Sequence, residues 1–390
     1  MTIAERWLLP DGMEDVLPAE AARVEYLRRM LLDLWRVHGY QQVAPPPAEF
    51  LESLITGTSR DLDLQTFKLI DQLTGRQLGL STDVTQQVAR IDAHANPTPG
   101  PARYSYCKSV LRTRPTAANN QRAVQQIGCE LFGSPVLNAD KEIIGLLLTT
   151  LEQAESHSLT LDLGHMGVQR ALLAQADLNS EEVKELTDML RRRALPELAK
   201  WREGRSGAAA MLASLDRLSG GSEVIAQAKV RLAEFGDDIA NALADLGEII
   251  AYVEQRWPSV NIHIDLAEVR GWAYHTGLMF SVFAPAIGRP IAEGGRYDAT
   301  GQVFGKARPA TGFTIDLRGL VSTSPVTVAG ERIFAAHDVP EDVVAQWRAR
   351  GNVVVQALSD ETAVLAGCTS ELVQVSGEWR ALSVDEARDN

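Results

Sequence analysis

Four short polar stretches interrupt otherwise apolar, strand-like surroundings. They are Thr82-Asp83-Val84-Thr85, Arg112 with Gln126 and Glu130, Val269-Arg270-Gly271-Trp272-Ala273-Tyr274, and Glu293-Gly294-Gly295-Arg296-Tyr297-Asp298. Each has a plain reading alone: the last could be a turn, and Arg270 a surface residue at a strand end. Together they hold what a free amino acid needs. Carboxylates such as Asp83 and Glu130 suit an α-ammonium group. Arg112 or Arg270 suits an α-carboxylate, where a bidentate guanidinium adds direction. Tyr274, Gln126 and Thr85 can hydrogen-bond a polar side chain. The chemistry is binding: no catalytic residue is singled out, and the sequence holds no Walker loop, no Gly-x-Ser-x-Gly elbow and no metal-ligand cluster. Neither a metal nor a cofactor is therefore expected. Cys107, Cys129 and Cys368 lie far apart without CxxC spacing, which argues against a disulfide framework or a zinc site. His165 reads as structural.

Positioning falls first to Ser105–Gly133. Tyr104, Tyr106 and Val110 alternate as in a half-buried strand. Pro115 breaks that strand, and 117–121 is turn-like. A second strand spans Val124 to Phe132, where the even spacing of Gln126 and Glu130 puts both on one face. Upstream, Ala19–His38 has helical spacing of Val24, Leu27, Leu31, Leu34 and Trp35, with Gly39 as its stop. Tyr40–Val43 reads as a strand, 67–70 and 77–80 as a hairpin, and Thr82–His94 as a helix capped by Thr82. Asp140–His157 is a long amphipathic helix, and Leu159–Leu163 a strand. Residues 168–256 are rich in Ala, Leu, Glu and Arg and read as a helical insertion. Strands return at 260–266, 277–283 and 291–293, and Thr311–Leu320 is a strand entering a helix. This order predicts an α+β fold, an antiparallel-rich sheet flanked by helices, over 1–321. Residues 322–390 are expected to form a linker and a small C-terminal β-α-β domain.

Composition narrows the partners. The 390 residues are 45% hydrophobic and 23% charged, with 51 acidic and 38 basic residues and a net charge of −13. A protein gripping a large nucleic acid shows a basic face, and the one short basic run, Arg191-Arg192-Arg193, reads as a solvated helix face. No signal peptide and no membrane span of ~20 apolar residues is evident, so a cytoplasmic location is expected.

The motif order resembles the catalytic domain of class II histidyl-tRNA synthetases over Trp7–Leu320. Asp11-Gly12-Met13-Glu14-Asp15-Val16-Leu17-Pro18 is similar to that family's N-terminal Gly-Met-x-Asp-x-x-Pro segment. Gly39–Glu49 resembles motif 1, with its dimer-interface proline, and Val110–Gly133 resembles motif 2. There the resemblance implies that Arg112 contacts ATP and the amino-acid carboxylate, and that Gln126 and Glu130 bind histidine. Val269–Thr276 resembles the Arg-Gly-Leu-Asp-Tyr-Tyr signature, and Gly294–Asp298 keeps Gly-Gly-Arg-Tyr-Asp.

The departures change what the resemblance implies. Motif 2 reads Leu111-Arg112-Thr113-Arg114, with Arg114 where the family has a glutamate serving adenine. Motif 3 reads Gly312-Phe313-Thr314-Ile315-Asp316-Leu317-Arg318-Gly319, with Gly319 in place of an ATP-stacking arginine, a loss no neighbour easily covers. The family's Arg-Pro-Glu-Gly-Thr loop has become Ser81-Thr82-Asp83-Val84-Thr85. The first histidine signature has become Arg270-Gly271-Trp272-Ala273-Tyr274-His275, and the 69 residues after 321 are too few for an anticodon-binding module. A kept amino-acid pocket beside lost ATP and tRNA machinery resembles the regulatory subunits of ATP phosphoribosyltransferase. That resemblance implies a non-catalytic chain that self-dimerises and joins the short-form catalytic subunit in a hetero-octamer. It also implies that the chain is required for activity and mediates histidine feedback inhibition in the first step of histidine biosynthesis. Its histidine-binding set would be Asp83, Thr85, Arg112, Gln126, Glu130, Arg270 and Tyr274, with no tRNA and no membrane among its partners. The alternatives are an authentic synthetase-type amino-acid-activating enzyme and a histidine sensor for another partner.

Overall fold

A computed structural model describes residues 7–55, 60–115, 120–269, 274–285, 287–298, 308–328, 331–359, 361–364 and 366–388. The chain divides into two units, 1–326 and 327–390. Among the described residues, nine strands of the larger unit form one mixed sheet. Its order is Gln41–Gln42, Ala102–Leu111, Ala123–Phe132, Ala310–Asp316, Pro290–Arg296, Leu278–Phe283, Thr160–His165, Asn261–Asp265 and Ser219–Gly220. Pairing is antiparallel except where Gln41–Gln42 meets Ala102–Leu111 and where Thr160–His165 meets Asn261–Asp265.

Alternation along these strands sorts side chains between two faces. One face is apolar: Ile127, Cys129, Leu131, Leu161, Leu163, Phe313 and Ile315 are buried there. Helices cover it. Pro18–Val37 turns Val24, Leu27, Leu31 and Trp35 inward, at the three- and four-residue spacing that sequence periodicity predicts. Trp35 meets Phe313 edge-on at 5.7 Å, and its indole N–H donates to Thr150 Oγ1 at 2.8 Å. Thr150 lies on the helix Leu137–Gln153, which buries Ile143, Ile144, Leu147 and Leu151. Each such aliphatic side chain is worth ~1.5–3 kcal/mol when fully buried. At Gly39, which ends the first helix, φ is 87°, a region glycine enters without steric cost.

The opposite face, followed through the register, carries Tyr106, Lys108, Gln126, Glu130, Thr314 and Asp316. A three-stranded sheet (Ala48–Phe50, Gln77–Leu80, Lys68–Ile70) precedes it in sequence. The helix predicted from Thr82 begins at Thr85, runs to Arg90 and continues as a π-helix over Ile91–Ala95. Thr82 does not cap it; Asp83 Oδ1 accepts from the Thr85 N–H at 2.8 Å instead.

The insertion is helical from Met166 to Arg256, but it also contributes the two-residue strand Ser219–Gly220 to the main sheet. Its arginine run is exposed, as a solvated face requires, and it is also paired with acids. Arg191 and Arg192 pair with Asp188 and Glu197, while Arg193 reaches the buried Asp265. His165 caps the helix Met166–Gln175, its Nδ1 accepting from the Gly167 N–H at 3.1 Å. Burial lowers this imidazole to about 4.

The 322–328 stretch is tied down where the larger unit ends. Arg23 donates to the carbonyls of Val321 (2.7 Å), Ser324 (2.5 Å) and Val326 (2.9 Å). The smaller unit exceeds the expected β-α-β piece. Among its described residues, four strands are ordered Val353–Gln356, Arg332–Ala335, Ser370–Val375 and Glu378–Ser383, and the helices Glu341–Ala349 and Val384–Arg388 accompany them. Among the described residues, no helix is long and apolar enough to cross a membrane.

Candidate functional site

The paired strands Ala102–Leu111 and Ala123–Phe132 set the site. Tyr104 stands opposite Glu130, Tyr106 opposite Gly128 and Lys108 opposite Gln126. On the other side of Ala123–Phe132, Glu130 faces Gly312, and Gln126 faces Asp316. Glycine at 312 is a space requirement: a Cβ there would overlap Oε2 of Glu130 and stand 2.7 Å from the Cys129 carbonyl. Gly128 likewise leaves room for the Tyr106 ring, since a Cβ would stand 2.6 Å from its hydroxyl.

Glu130 is 1% exposed and accepts hydrogen bonds on both oxygens. Tyr297 donates to Oε2, Tyr106 donates to Oε1 at 3.4 Å, and the Thr85 hydroxyl also supports the carboxylate. Burial pushes the Glu130 carboxyl up from 4.5 to about 8. The hydroxyls oppose that rise, whereas the nearby Asp83 carboxylate adds to it. Tyr297 also stacks on Tyr274, with centroids 4.9 Å apart and planes 23° from parallel.

Gln126 is fixed at both ends. Its Oε1 accepts from the Val84 N–H at 3.1 Å, and its Nε2 donates to Asp83 Oδ2 at 3.3 Å. These bonds hold the 81–85 loop against the strand. Arg112 touches the same loop, Nε donating to the Thr82 carbonyl at 3.4 Å. Below it, Lys108 donates to Pro46 O (2.6 Å), Ser81 Oγ (2.5 Å) and Gln87 Oε1, and burial lowers its ammonium to about 8. The structure thus brings together Asp83, Thr85, Gln126 and Glu130, with Arg112 at the margin and Tyr274 behind Tyr297. Arg270 lies outside the described residues, as do Gly271, Trp272 and Ala273.

Tyr106 and Tyr297 belong to the site although the sequence marked Tyr106 only as strand core and placed Tyr297 in a turn-like signature. Parity with Glu130 along the paired strand was the available signal for Tyr106. Within Gly294–Asp298 the labour is divided. Tyr297 serves the site, while Arg296 is a tie, bonding Asp140 at 2.6 Å, the Ser134 carbonyl at 3.1 Å and Asp298 at 3.2 Å. Against the burial that opposes its charge, the Asp140 carboxylate holds the Arg296 guanidinium above its ordinary value.

Around the motif 3-like stretch, Gly319 is buried, and Arg114 in the motif 2-like stretch is exposed. A guanidinium does stand near Gly319, contrary to expectation. Arg289 Nη2 lies 3.2 Å from where a Cβ would be, but it is paired with Asp316 at 2.6 Å. Among the described residues, no group of three His, Cys, Asp or Glu side chains could hold a metal ion.

The histidyl-tRNA synthetase family profile matches residues 12–320, and that of the C-terminal domain of ATP phosphoribosyltransferase subunit HisZ matches 332–381. An ATP phosphoribosyltransferase regulatory subunit from Chromohalobacter salexigens is 45% identical, covering 97% of this chain and 99% of its own. One from Stutzerimonas stutzeri is 44% identical over 97% and 98% of the two chains. Among solved structures, an ATP phosphoribosyltransferase regulatory subunit/histidyl-tRNA synthetase from Bacillus halodurans superposes with a TM-score of 0.80 at 26% identity, covering 94% and 97%. Histidyl-tRNA synthetase from Nostoc sp. PCC 7120 shares the fold with a TM-score of 0.76 at 18% identity, covering 98% of each.

Proposed function

This chain belongs to the family of ATP phosphoribosyltransferase regulatory subunits, and from that premise we propose that it regulates a short-form catalytic subunit through histidine bound in the Glu130 pocket. The chain performs no phosphoribosyl transfer itself. It self-dimerises, completes a hetero-octamer with the catalytic subunit in the cytoplasm, and makes that subunit both active and sensitive to histidine. The observation that carries this reading is the Asp83–Gln126–Glu130 constellation, with Tyr106 and Tyr297 locking its deep carboxyl. An amino acid supplies the matching groups: an ammonium for Asp83, a carboxylate for Arg112 or Arg270, and a polar ring for Tyr274 and Glu130. An effector regulates only through unequal affinity for two states, so occupancy of the pocket has to favour an inhibited arrangement of the complex.

The insertion fits a chain that does not grip tRNA: residues 166–256 hold fifteen acids against twelve lysines and arginines, and its arginine run is paired with acids. The test is reconstitution with the short catalytic subunit. Addition of this chain should raise transferase activity and histidine should lower it, with Asp83→Asn keeping activation and losing sensitivity. No activation and no histidine response would overturn the proposal. An activating enzyme would instead show histidine-dependent ATP–pyrophosphate exchange, which Gly319 disfavours. Co-purification of a different partner from the host would favour the sensor.

A further inference from the structure

Glu130 is a buried carboxyl whose described neighbours offer hydroxyls and no cation. Among the described residues, the charged and titratable groups around it come from several elements. Asp83 stands on the 81–85 loop, Tyr106 on the neighbouring strand, and Tyr297 with Tyr274 behind it on the far side. Cys129, beside it on its own strand, belongs to the apolar face. Arg112 addresses the back of the loop at Thr82. Among the described residues no ion pair reaches Glu130 or Asp83. Enclosure disfavours a charged Glu130, and the nearby Asp83 adds to that effect. The phenols offer no acceptor for the proton, because burial keeps Tyr106 and Tyr297 in their neutral, already protonated form.

Resting on the reading that histidine fills this pocket, we propose that Glu130 is a neutral carboxylic acid in the empty site and hands its proton to the imidazole of the incoming ligand. The balance is simple. The Glu130 O–H bond breaks, an N–H bond forms on the unprotonated ring nitrogen, and a carboxylate–imidazolium pair replaces two neutral groups. Nothing is exchanged with solvent. Both partners enter the enclosed site uncharged, which avoids the cost of desolvating a separate ion. The charges then form in contact, where the Tyr106 and Tyr297 hydroxyls already point at the carboxylate oxygens.

Infrared difference spectroscopy on the whole chain tests this. The empty protein at pH 6–7 should show the carbonyl stretch of a protonated carboxylic acid that is absent from Glu130→Gln. Saturating L-histidine should abolish it. Calorimetry at pH 7.5 in phosphate and in Tris should give the same heat after correction for buffer ionisation, so that close to zero protons are exchanged. Absence of the band from the empty protein, or its persistence with histidine bound, overturns the proposal. So does release of one proton to buffer, because the acceptor is then water. A flat calorimetric trace at saturating histidine overturns the histidine reading and the transfer together, whereas a present band that survives measurable binding overturns the transfer alone.

Discussion

Replacing Glu130 with glutamine should make the larger unit more stable, by an amount that grows with pH. The folded carboxyl titrates at about 8 against an ordinary 4.5. Below pH 4.5 both folded and unfolded chains carry the proton, and burial of Glu130 costs nothing in linkage terms. As pH rises, the unfolded chain releases the proton and the folded one keeps it, so stability falls until the folded carboxyl itself ionises near pH 8. At about 1.4 kcal/mol per pKa unit, the loss is on the order of 3 kcal/mol at pH 7 and reaches on the order of 5 kcal/mol above pH 8. Glutamine matches the protonated acid in shape and has no proton to lose. The Tyr297 hydroxyl can turn to accept from its amide, because a phenol both donates and accepts. Urea unfolding of both proteins at pH 5 to 9 measures the effect. Every other titrating group is common to the pair, so the difference between them isolates Glu130. Parallel stability profiles across that range would refute the argument.

Gly312→Ala places a methyl on Glu130 Oε2 and 2.7 Å from the Cys129 carbonyl. It should cost ~1–3 kcal/mol in unfolding experiments through overpacking and abolish histidine binding in calorimetry; an unchanged affinity would contradict it. Arg296→Ala leaves Asp140 buried without its partner and should cost ~3–5 kcal/mol in urea melts, where less than ~1 kcal/mol would mean the pair is dispensable. Arg23→Ala frees the carbonyls of Val321, Ser324 and Val326, so limited subtilisin digestion should cut 322–328 faster than in the parent; equal rates would remove Arg23 as the clamp. Gly319→Arg with Arg114→Glu should not restore ATP–pyrophosphate exchange, because the Arg289–Asp316 pair already fills the space at 319, with Arg289 Nη2 and Asp316 Oδ2 each 3.2 Å from the new Cβ; measurable exchange would refute this.

Where one element carries its own pattern, the sequence was readable. The first helix shows its buried stripe in spacing alone, and the parity of Gln126 and Glu130 puts both on the polar face. Contacts that depend on register between distant strands were not. Tyr297 reaches Glu130 across 167 positions of chain and the Tyr106 hydroxyl meets Thr314 across 208; no local periodicity encodes either. The cap at the 81–85 loop slipped from Thr82 to Asp83 because Gln126 holds the Val84 amide, a tertiary contact overriding local preference. In the smaller unit, Ser370–Val375 and Glu378–Ser383 went unread although Ser376-Gly377 between them is a hairpin signal; both take positive φ, 52° and 83°.

Charge separates the pocket from what surrounds it. Four arginines stand around the sheet's signature segments, and each is consumed within the chain. Arg289 pairs with Asp316, Arg296 with Asp140, Arg308 with Asp92, and Arg318 with Glu20. A triphosphate needs several uncommitted cations or backbone donors converging on it, and drawing Arg296 or Arg308 toward a nucleotide would strand the buried Asp140 or Asp92 at a cost of ~3–5 kcal/mol each. A zwitterionic amino acid makes no such demand, since it brings one anion and its own cations. Asp83 and Glu130, whose partners among the described residues are hydrogen-bond donors rather than cations, sit together in the proposed pocket. This division of charge favours the proposed effector site over an adenylating one: four arginines near the sheet are spent on structure, while the buried Glu130 meets only hydroxyls among the described residues.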